Sequence, residues 1–541
     1  MNSRNFKIFI AASLAIATVS ASAGAQAKKP AKKSTAPATL SKTVSVLVLP
    51  VDSTPGDSIR TIVQRDLSNS DVVTVAFIDP STALRAAPIG QDAIDLSLLA
   101  PAKAANILRL MRVPAGLTAK LSDGATGVVK QTGNFLLPLV AQAHPEGIRD
   151  SLARDLAARA SEVSSQIARD SVTRDSLLRL NAAPQKKRQN TKEKAAAKVI
   201  AASRDSMVKE IEARRIVLFA KAKHDSAARD SVLPRLIAAD SASHFRSARD
   251  QRLAIHIVSD SIESWLTGKR GIAATRIAYV QGKNLHVVDS DGAIDEIVPT
   301  PGAAMSPSWH PQGKSIVYSD FTDYGTQIAE VDLPDETIRL LAATPRGLNI
   351  TPVYSPDGRS LVYGAGGEKP ADLVAYEIGS TFKPKQLSDG RYENSSPSFN
   401  PDGTKMVFMS PRPALTPQIY VMNSDGTGVK LLTPFVKGKR SYRTGPDWSP
   451  TGDAVAYEQQ NGDFQVWMIN LKNGVMTQLT RFKENEDPSW SPDGRHMAIT
   501  STRGGTREIW VLDVKTGKYR QITHVNGARL ASWSPPLHLL P

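Results

Sequence analysis

The sequence predicts a multidomain protein with a six-bladed all-β propeller at the C-terminus, a small α/β domain at the N-terminus and a charged α-helical insertion. Three observations predict this architecture. A motif of prolines, an aromatic residue and a glycine recurs at a propeller period, strand and helix patterns alternate near the N-terminus, and a repeat of aspartates lies between these regions. The 541 residues, 41% of them hydrophobic, are enough to bury such cores.

The first 25 residues have the pattern of a secretory signal peptide. Arg4 and Lys7 give a charged start, residues 8–19 are apolar, and Ala23-Gly24-Ala25 fits a cleavage site. The apolar run is short for a membrane span, so we expect an exported, soluble protein cleaved near Ala25. Residues 26–42 lack apolar periodicity and predict a disordered Lys/Pro/Ala linker.

Residues 43–144 predict the first part of an α/β domain. A buried strand at 43–53, a helix at 56–70 and a second strand at 71–79 follow one another. The continuation to about residue 143 is expected to be helix-rich, with a hairpin around residues 121–129. Residues 244–270 are expected to complete the domain and form the junction to the propeller.

Residues 145–243 predict a charged helical insertion. Their aspartates fall in one five-residue frame, usually as Arg-Asp-Ser. Where two such units adjoin, Asp precedes Arg by four residues, as in Asp170 and Arg174, a favourable order for an ion pair on a helix. A step of five residues rotates about 140° around a helix, so no single apolar face persists, and we expect an extended helix or a helical hairpin.

The propeller prediction covers residues 271–541 and rests on a repeated frame, Pro-x-aromatic-x-Pro-x-Gly. Its second prolines are separated by 45, 45, 49, 42 and 43 residues, a period that suits a four-stranded blade. A sixth copy at Trp533–Pro535 is cut short. The five full copies span Pro307–Gly313, Pro352–Gly358, Pro397–Gly403, Pro446–Gly452 and Pro488–Gly494.

Each copy is followed by three further strand patterns, and the prolines indicate that the strand carrying them is the innermost edge of a blade. The Pro-x-Gly corner suits a tight turn, and the aromatic residue can pack between blades. Strand patterns at 276–280, 284–290 and 295–299 precede the first copy. We therefore expect a ring of six blades in which both ends of the propeller region share one sheet.

The residue inventory disfavours several classes of function. No cysteine is present, so disulfides and thiolate metal sites are excluded. The nine histidines show no ligand spacing, and no phosphate loop or nucleophile elbow occurs. We expect no catalytic residues, no metal and no cofactor. The net charge of +15 is concentrated in two lysine-rich stretches without aromatic residues, which argues against nucleic acid as a partner.

At the junction the chain resembles the TolB family, the periplasmic propellers of the Tol-Pal system. The resemblance rests on the residues 262–280, IESWLTGKRGIAATRIAYV, on the six blade motifs, and on SVLVLPVDS and IVQRDLSNS near the N-terminus. The insertion departs from the family pattern. The N-terminus is longer and more basic than the family's short TolA-binding segment, so a contact with a TolA-like inner-membrane protein is in question.

The resemblance implies a non-enzymatic periplasmic protein that binds a peptidoglycan-associated lipoprotein (Pal) at one mouth of the propeller channel. Such binding would support outer-membrane integrity and envelope constriction at cell division. By their position in loops 344–352 and 388–397, which lead into innermost strands, the expected contact residues are Arg346, Asn349, Arg391, Asn394 and Ser395.

Other interpretations of the same residues stay open. The propeller could bind an envelope polyanion or glycan through basic loops such as 436–443, VKGKRSYR. It could also be an accessory propeller related to those of peptidases but without their catalytic domain. A third alternative is a structural scaffold in which the charged helical segment spans the periplasm.

Overall fold

The computed structural model describes residues 43–51, 58–89, 91–114, 116–138, 161–162, 164–179, 198–214, 218, 248–323, 325–343, 347–367, 369–380, 383–412, 416–434 and 441–539. The predicted signal peptide, the predicted linker, Arg346 and most of the predicted insertion lie outside these ranges.

The N-terminal α/β domain is built on a five-stranded sheet of order β2-β1-β3-β4-β5. Strand β1 is parallel to β2 and β3, and the remaining pairs are antiparallel. The strands are β1 (Val44–Val48), β2 (Val73–Ala76), β3 (Asn106–Val113), β4 (Gly116–Asp123) and β5 (Val129–Leu136). The helices introduced for the described residues are α1 (Ser58–Asn69), α2 (Pro80–Ala86), α3 (Leu96–Leu99), α4 (164–179), α5 (198–214) and α6 (248–267).

Helices cover both faces of this sheet. On one face α1 and α6 bury apolar residues such as Ile59 and Val258 against Val46 and Val48 of strand β1. On the other face α2 and α3 pack against Leu47 of β1. Helix α6 follows the insertion in sequence, so the α/β core is assembled from segments on both sides of it.

The segment after α2 differs from the expectation of helix. Only α3 and a short 3₁₀ turn (Ala100–Ala102) follow it before strands β3 to β5. The first five residues of β3 are all buried because the strand has a partner on each side. Such a short apolar run has the same periodicity as a buried helix segment, which is why the sequence misleads here. The expected hairpin around 121–129 is present as the β4–β5 turn.

The described parts of the insertion are helical. Helices α4 and α5 approach one another where Arg214 lies 3.7 Å from the nearly buried Asp170. Arg174 pairs with its neighbour Asp175 at 2.7 Å. The expected pair of Arg174 with Asp170 is therefore wrong, because Asp170 faces the other helix.

Six four-stranded antiparallel sheets form the propeller, which confirms the predicted fold class. Blade 1 contains β6 (Arg276–Gln281), β7 (Asn284–Asp289), β8 (Asp295–Val298) and β29 (Ala528–Trp533). Blade 2 contains β9 (Ala303–Trp309), β10 (Ser315–Thr322), β11 (Gly325–Asp332) and β12 (Ile338–Ala343). Blade 3 contains β13 (Leu348–Tyr354), β14 (Ser360–Gly366), β15 (Asp372–Glu377) and β16 (Lys385–Gln386).

Blade 4 contains β17 (Ser395–Phe399), β18 (Lys405–Ser410), β19 (Gln418–Asn423) and β20 (Lys430–Leu431). Blade 5 contains β21 (Tyr442–Trp448), β22 (Ala454–Asn461), β23 (Asp463–Asn470) and β24 (Met476–Gln478). Blade 6 contains β25 (Asn485–Trp490), β26 (His496–Ser501), β27 (Glu508–Asp513) and β28 (Tyr519–Gln521). Strand β29 pairs with β6 in blade 1, so the two ends of the propeller region share a sheet, as expected.

Every innermost strand has a β-bulge at the same place. The register is interrupted where two residues of the innermost strand oppose one residue of its neighbour. In blades 2 to 6 the first proline of the motif lies in this interruption, where its missing N–H removes no ladder bond. The residues of the bulges with positive φ are Ser306 (49°), Thr351 (50°), Ser396 (52°), Gly445 (54°), Asp487 (51°) and Leu530 (57°).

The motif aromatics lie between neighbouring blades. Trp309 of blade 2 packs with Ala278 and Leu285 of blade 1, and its Nε1 donates to the carbonyl of Ser532 at 3.0 Å. Tyr354 of blade 3 packs on blade 2, where its hydroxyl donates to Glu330 at 2.6 Å. The aromatic residues thus join successive blades, as the sequence predicts.

Candidate partner-binding site at the propeller mouth

The loops that lead from outermost to innermost strands form one mouth of the propeller, and the predicted contact residues were placed on them. Arg346 lies outside the described residues. Arg391 is 77% exposed in its side chain and lies 3.4 Å from Asp389. Asn349, Asn394 and Ser395 are buried. Among the four described residues, Arg391 is thus the one whose side chain is directly open to a partner.

Asn394 holds its loop in place. Its side-chain amide donates to Ser388 Oγ at 3.1 Å and to the carbonyl of Tyr392 at 2.9 Å. Its Oδ1 accepts from Arg412 Nη2 at 2.9 Å. The Arg412 guanidinium also lies 5.4 Å from the ring centroid of Tyr392, within the range of a cation–π contact. Asn394 therefore fixes the loop backbone and orients Arg412.

The same brace recurs three residues before the first proline of the motif in other blades. Asn349 of blade 3 donates to the carbonyl of Thr326 at 2.7 Å. Asn485 of blade 6 donates to the carbonyls of Phe482 and Lys483 at 3.0 and 2.9 Å. This fixed offset was visible in the sequence, and it is the signal that these asparagines belong to the repeat.

The sequence analysis missed two mouth residues, one exposed and one half-buried. Phe482 is 62% exposed in the loop that enters blade 6. Arg507, between the second and third strands of that blade, lies 3.1 Å from both Glu484 and Glu486. The loop before β25 has the same position relative to the motif as the two loops chosen in blades 3 and 4. The spacing of the repeat was therefore a signal by which Phe482 could have been predicted.

A buried carboxyl group, Glu458, and a half-buried one, Glu486, lie at the blade 5 and blade 6 side of the mouth. Burial and the nearby Asp487 raise the pKa of Glu486 to about 7, against the opposing effect of Arg507. Burial likewise raises the pKa of Glu458 well above its usual range. Glu458 Oε1 accepts the backbone N–H of the bulge residue Asp487 at 2.8 Å. Glu486 is therefore partly protonated near neutral pH, and burial favours the neutral form of Glu458 as well.

The α/β domain contacts the other end of the blades. Arg252 of α6 pairs with Asp289 at 2.9 Å, and Lys518 pairs with Asp71 at 2.9 Å. Asp289 and Lys518 flank turns between the third and fourth strands of blade 1 and between those of blade 6. In an antiparallel blade these turns lie at the opposite end from the loops entering the innermost strand. The mouth carrying Arg391 therefore faces away from the α/β domain.

Groups with metal-ligating side chains lie at this contact between the domains. Within the described residues two clusters bring a histidine and two aspartates together, Asp66–His256–Asp291 and Asp71–His496–Asp513. Neither cluster includes a residue of the mouth loops.

The TolB β-propeller domain family matches residues 264–537, which is half of the chain. The chain belongs to the TolB family. A Tol-Pal system protein TolB from Francisella tularensis is 27% identical over 252 residues, covering 44% of this chain and 57% of that protein. The TolB of Legionella pneumophila is 38% identical over 93 residues, 16% of this chain, and the match spans only 22% of that relative's length.

The fold agrees with that of a solved TolB structure. The crystal structure of TolB from Acinetobacter baumannii superposes with a TM-score of 0.61 at 18% identity, covering 91% of this chain and 97% of that one. At this identity the likeness shows the fold, a TolB-like α/β domain and propeller. In the part of the chain that the structure describes, no helix combines the length and apolar character needed to cross a bilayer.

Proposed function

We propose that the protein is a non-enzymatic, periplasmic interaction module of the Tol-Pal system that binds a peptidoglycan-associated lipoprotein at its propeller mouth. In this proposal the binding supports outer-membrane integrity and envelope constriction during cell division. Membership of the TolB family supports the assignment. The observation that carries the choice of surface is that the mouth loops face away from the α/β domain, so a partner can dock there without displacing that domain.

The proposed contact surface consists of two exposed side chains of the mouth, Arg391 and Phe482, and the half-buried Arg507. Arg391 presents a cation beside blade 4, and Phe482 and Arg507 present an aromatic ring and a second cation beside blade 6. Aromatic and arginine side chains are the types that contribute most at protein interfaces. Asn349, Asn394 and Ser395 act indirectly in this proposal, by holding the loops, and Arg346 stays a predicted contact.

A contact between this protein and TolA rests on the family resemblance alone. The predicted N-terminal linker lies outside the described residues, and its basic character is an expectation from the sequence. A TolA-like inner-membrane protein is therefore a second partner that the resemblance alone suggests.

The test is recovery of partners from crosslinked cell envelopes with the mature protein as bait. We expect a peptidoglycan-binding lipoprotein with the native chain, and at least about a tenfold loss with the variant Arg391→Glu/Phe482→Ala, as for residues central to an interface. Arg359→Glu is the matched control, because Arg359 is an exposed arginine in the turn between β13 and β14, on the opposite face.

Two results would contradict the proposal. Equal recovery with the mouth variant and the native chain would move the binding surface elsewhere. Recovery of anionic polymer or glycan in place of a lipoprotein, lost steeply as salt rises, would favour the polyanion-binding alternative.

A further inference from the structure

The junction between helix α6 and the propeller brings a buried and a half-buried carboxyl group together. Asp260 is 2% exposed, and Glu263 lies three residues later on the same face of α6. Both side chains are directed at Gly271, where a Cβ would lie 2.6 Å from Asp260 Oδ1 and 2.6 Å from Glu263 Oε2. The absent side chain of Gly271 therefore leaves the space in which the two carboxyl groups meet.

Asp260 bonds α6 to the segment that enters the propeller. Its two carboxylate oxygens accept the backbone N–H groups of Ala273 at 2.7 Å and of Ala274 at 3.1 Å. The carbonyl of Ala274 accepts the backbone N–H of Leu537, and Ser290 of blade 1 donates to the carbonyl of Ala273. Residues 273 and 274 are thus bonded to α6 on one side and to the propeller on the other.

Glu263 has no such bonds. No side-chain hydrogen bond or ion pair joins its carboxyl group to another described residue. Burial, the neighbouring Asp260 and Asp493 of blade 6 raise the pKa of Glu263 to about 8. Burial also raises the pKa of Asp260, to about 6. At pH 7 a mostly neutral Glu263 therefore lies beside a mostly ionised Asp260.

The charged groups that act on this pair come from α1, from the residues after α6 and from blade 6. They are Asp66, Arg270, Asp493, Arg495 and His496. His496 Nδ1 lies 2.6 Å from Asp493 Oδ2, and Arg495 lies 2.5 Å from Asp513. The cations of blade 6 are thus already paired with other carboxylates, so an ionised Glu263 would gain little from them.

We propose that Asp260 and Glu263 form a pH-sensitive latch between the α/β domain and the propeller. With Glu263 neutral, α6 stays bonded to residues 273 and 274. Ionisation of Glu263 places a second negative charge beside Asp260, and the repulsion is relieved when the end of α6 moves away and the carboxylates reach water. The inference is independent of the proposed lipoprotein binding, because the latch lies at the opposite end of the propeller from the mouth.

The pKa of Glu263 gives the direction of the effect. Its folded value of about 8 lies above the ordinary value of 4.5. The contribution of Glu263 to the closed latch is therefore fully present below about pH 4.5 and is lost as the pH rises through about 8. Within this interval, each pH unit shifts the opening equilibrium by up to about tenfold.

Hydrogen exchange of the backbone amides of Ala273 and Ala274 in the full chain tests the latch. We expect their protection in the native chain, relative to that in Glu263→Gln, to fall at least about tenfold between pH 6 and pH 8. Glutamine keeps the size of the side chain and does not ionise, and the ratio cancels the intrinsic pH dependence of exchange. Glu377→Gln, at an exposed glutamate that ends β15, is the matched control and should give the native profile.

A measurement on the native chain alone guards against poor folding of the variant. The amides of β14 in blade 3 report opening away from the junction. After correction for intrinsic exchange rates, we expect the protection of Ala273 and Ala274 to fall relative to that of β14 between pH 6 and pH 8. Equal changes at both places would overturn the latch, since Glu263 would then act on global unfolding only. Parallel profiles of the native chain and Glu263→Gln would overturn it as well.

Discussion

Single polar residues in the mouth loops have two separate roles, and burial distinguishes them. Asn394 is fully buried and forms hydrogen bonds with Ser388, Tyr392 and Arg412. Arg391, three residues earlier, has its side chain 77% exposed. Both are polar loop residues, and the sequence alone treats them alike. The structure makes Asn394 part of the scaffold and leaves Arg391 as a contact residue.

Replacement of Asn394 should therefore lower stability. In Asn394→Ala the guanidinium of Arg412 and the hydroxyl of Ser388 lose a buried partner, and we expect a loss of about 1–3 kcal/mol in the free energy of unfolding. Urea denaturation followed by circular dichroism measures it. The matched control Arg391→Ala should change stability by less than about 0.5 kcal/mol. Equal effects of the two substitutions would show that Asn394 is no brace.

Asp447 is a second buried polar residue with a structural task. Its carboxylate accepts from the backbone N–H of Trp490 at 2.8 Å and from Ser398 Oγ at 3.1 Å, so it joins blades 4, 5 and 6. Burial raises its pKa to about 6. The folded state therefore holds the proton more tightly than the unfolded chain, whose aspartate has a pKa near 3.8.

The pH dependence of Asp447 follows from this difference. A raised folded pKa means that the contribution of Asp447 to stability is fully present below about pH 3.8 and declines as the pH rises through 6. Asp447→Asn cannot titrate at this position, so only the native chain loses stability there as the pH rises. The unfolding free energy of Asp447→Asn relative to that of the native chain should therefore increase from pH 4 to pH 7. Denaturation curves at these pH values test this, and a constant difference would contradict it.

At the scale of elements, the innermost strands explain why each motif carries so many turn-forming residues. In blades 2 to 6 the first proline lies in the bulge interruption, and in all six blades the residue before that position has a positive φ. The second proline and the glycine of a full motif form the turn to the next strand. A strand with these features can pair with a neighbour on one side only. The innermost strand of a blade has only one neighbour in its sheet, so it can carry them.

Strand β29 is the element that closes the ring. Trp533 is buried between blades 6 and 1, and its Nε1 donates to Thr275 Oγ1 at 2.9 Å. Trp533→Ala should cost about 3–5 kcal/mol, because it leaves a large cavity at the closing sheet. Trp533→Phe keeps most of the buried area and should cost clearly less. The free energy of unfolding from urea titration separates the two, and similar small losses in both variants would contradict the closing role.

At the scale of the whole molecule, a network of charges holds the α/β domain on the propeller. His256 of α6 lies 2.8 Å from Asp66 of α1 and 3.7 Å from Asp289 of blade 1, with Arg252 on its own helix beside it. Burial alone would lower the pKa of His256, but the two carboxylates outweigh it and raise the pKa to about 10. The protonated imidazole therefore links three segments of the chain.

This link should weaken in alkaline solution. Because the folded pKa of His256 is above its unfolded value of 6.5, its stabilisation is fully present below about pH 6.5 and is lost as the pH rises through about 10. We expect the difference in unfolding free energy between the native chain and His256→Gln to shrink over that interval. Lysines and tyrosines also titrate in this pH range. Their contribution is common to the native chain and His256→Gln, so it cancels in the difference between the two. Parallel pH profiles of the two chains would exclude the effect.

Much of the fold was readable because its signals are local. The strand period, the proline and glycine positions and the spacing of the motif each depend on neighbouring residues, and together they predict six blades and a shared closing sheet. The prediction of helix between Ala100 and Leu136 was wrong because a local pattern was not sufficient there. The sequence of the buried strand β3 resembles a helix segment until its partners on both sides are known.

Local patterns in the chain were sufficient to predict the propeller and the family, since periodicity and turn chemistry act within a few residues. The three-dimensional packing was needed to show which loop residues are buried braces, which mouth residues are exposed, and which charged groups meet between the domains. His256 and Asp66 are 190 positions apart, and Arg495 donates to a carbonyl 424 positions away. Contacts of that separation depend on how whole domains pack, and no local pattern in the chain encodes them.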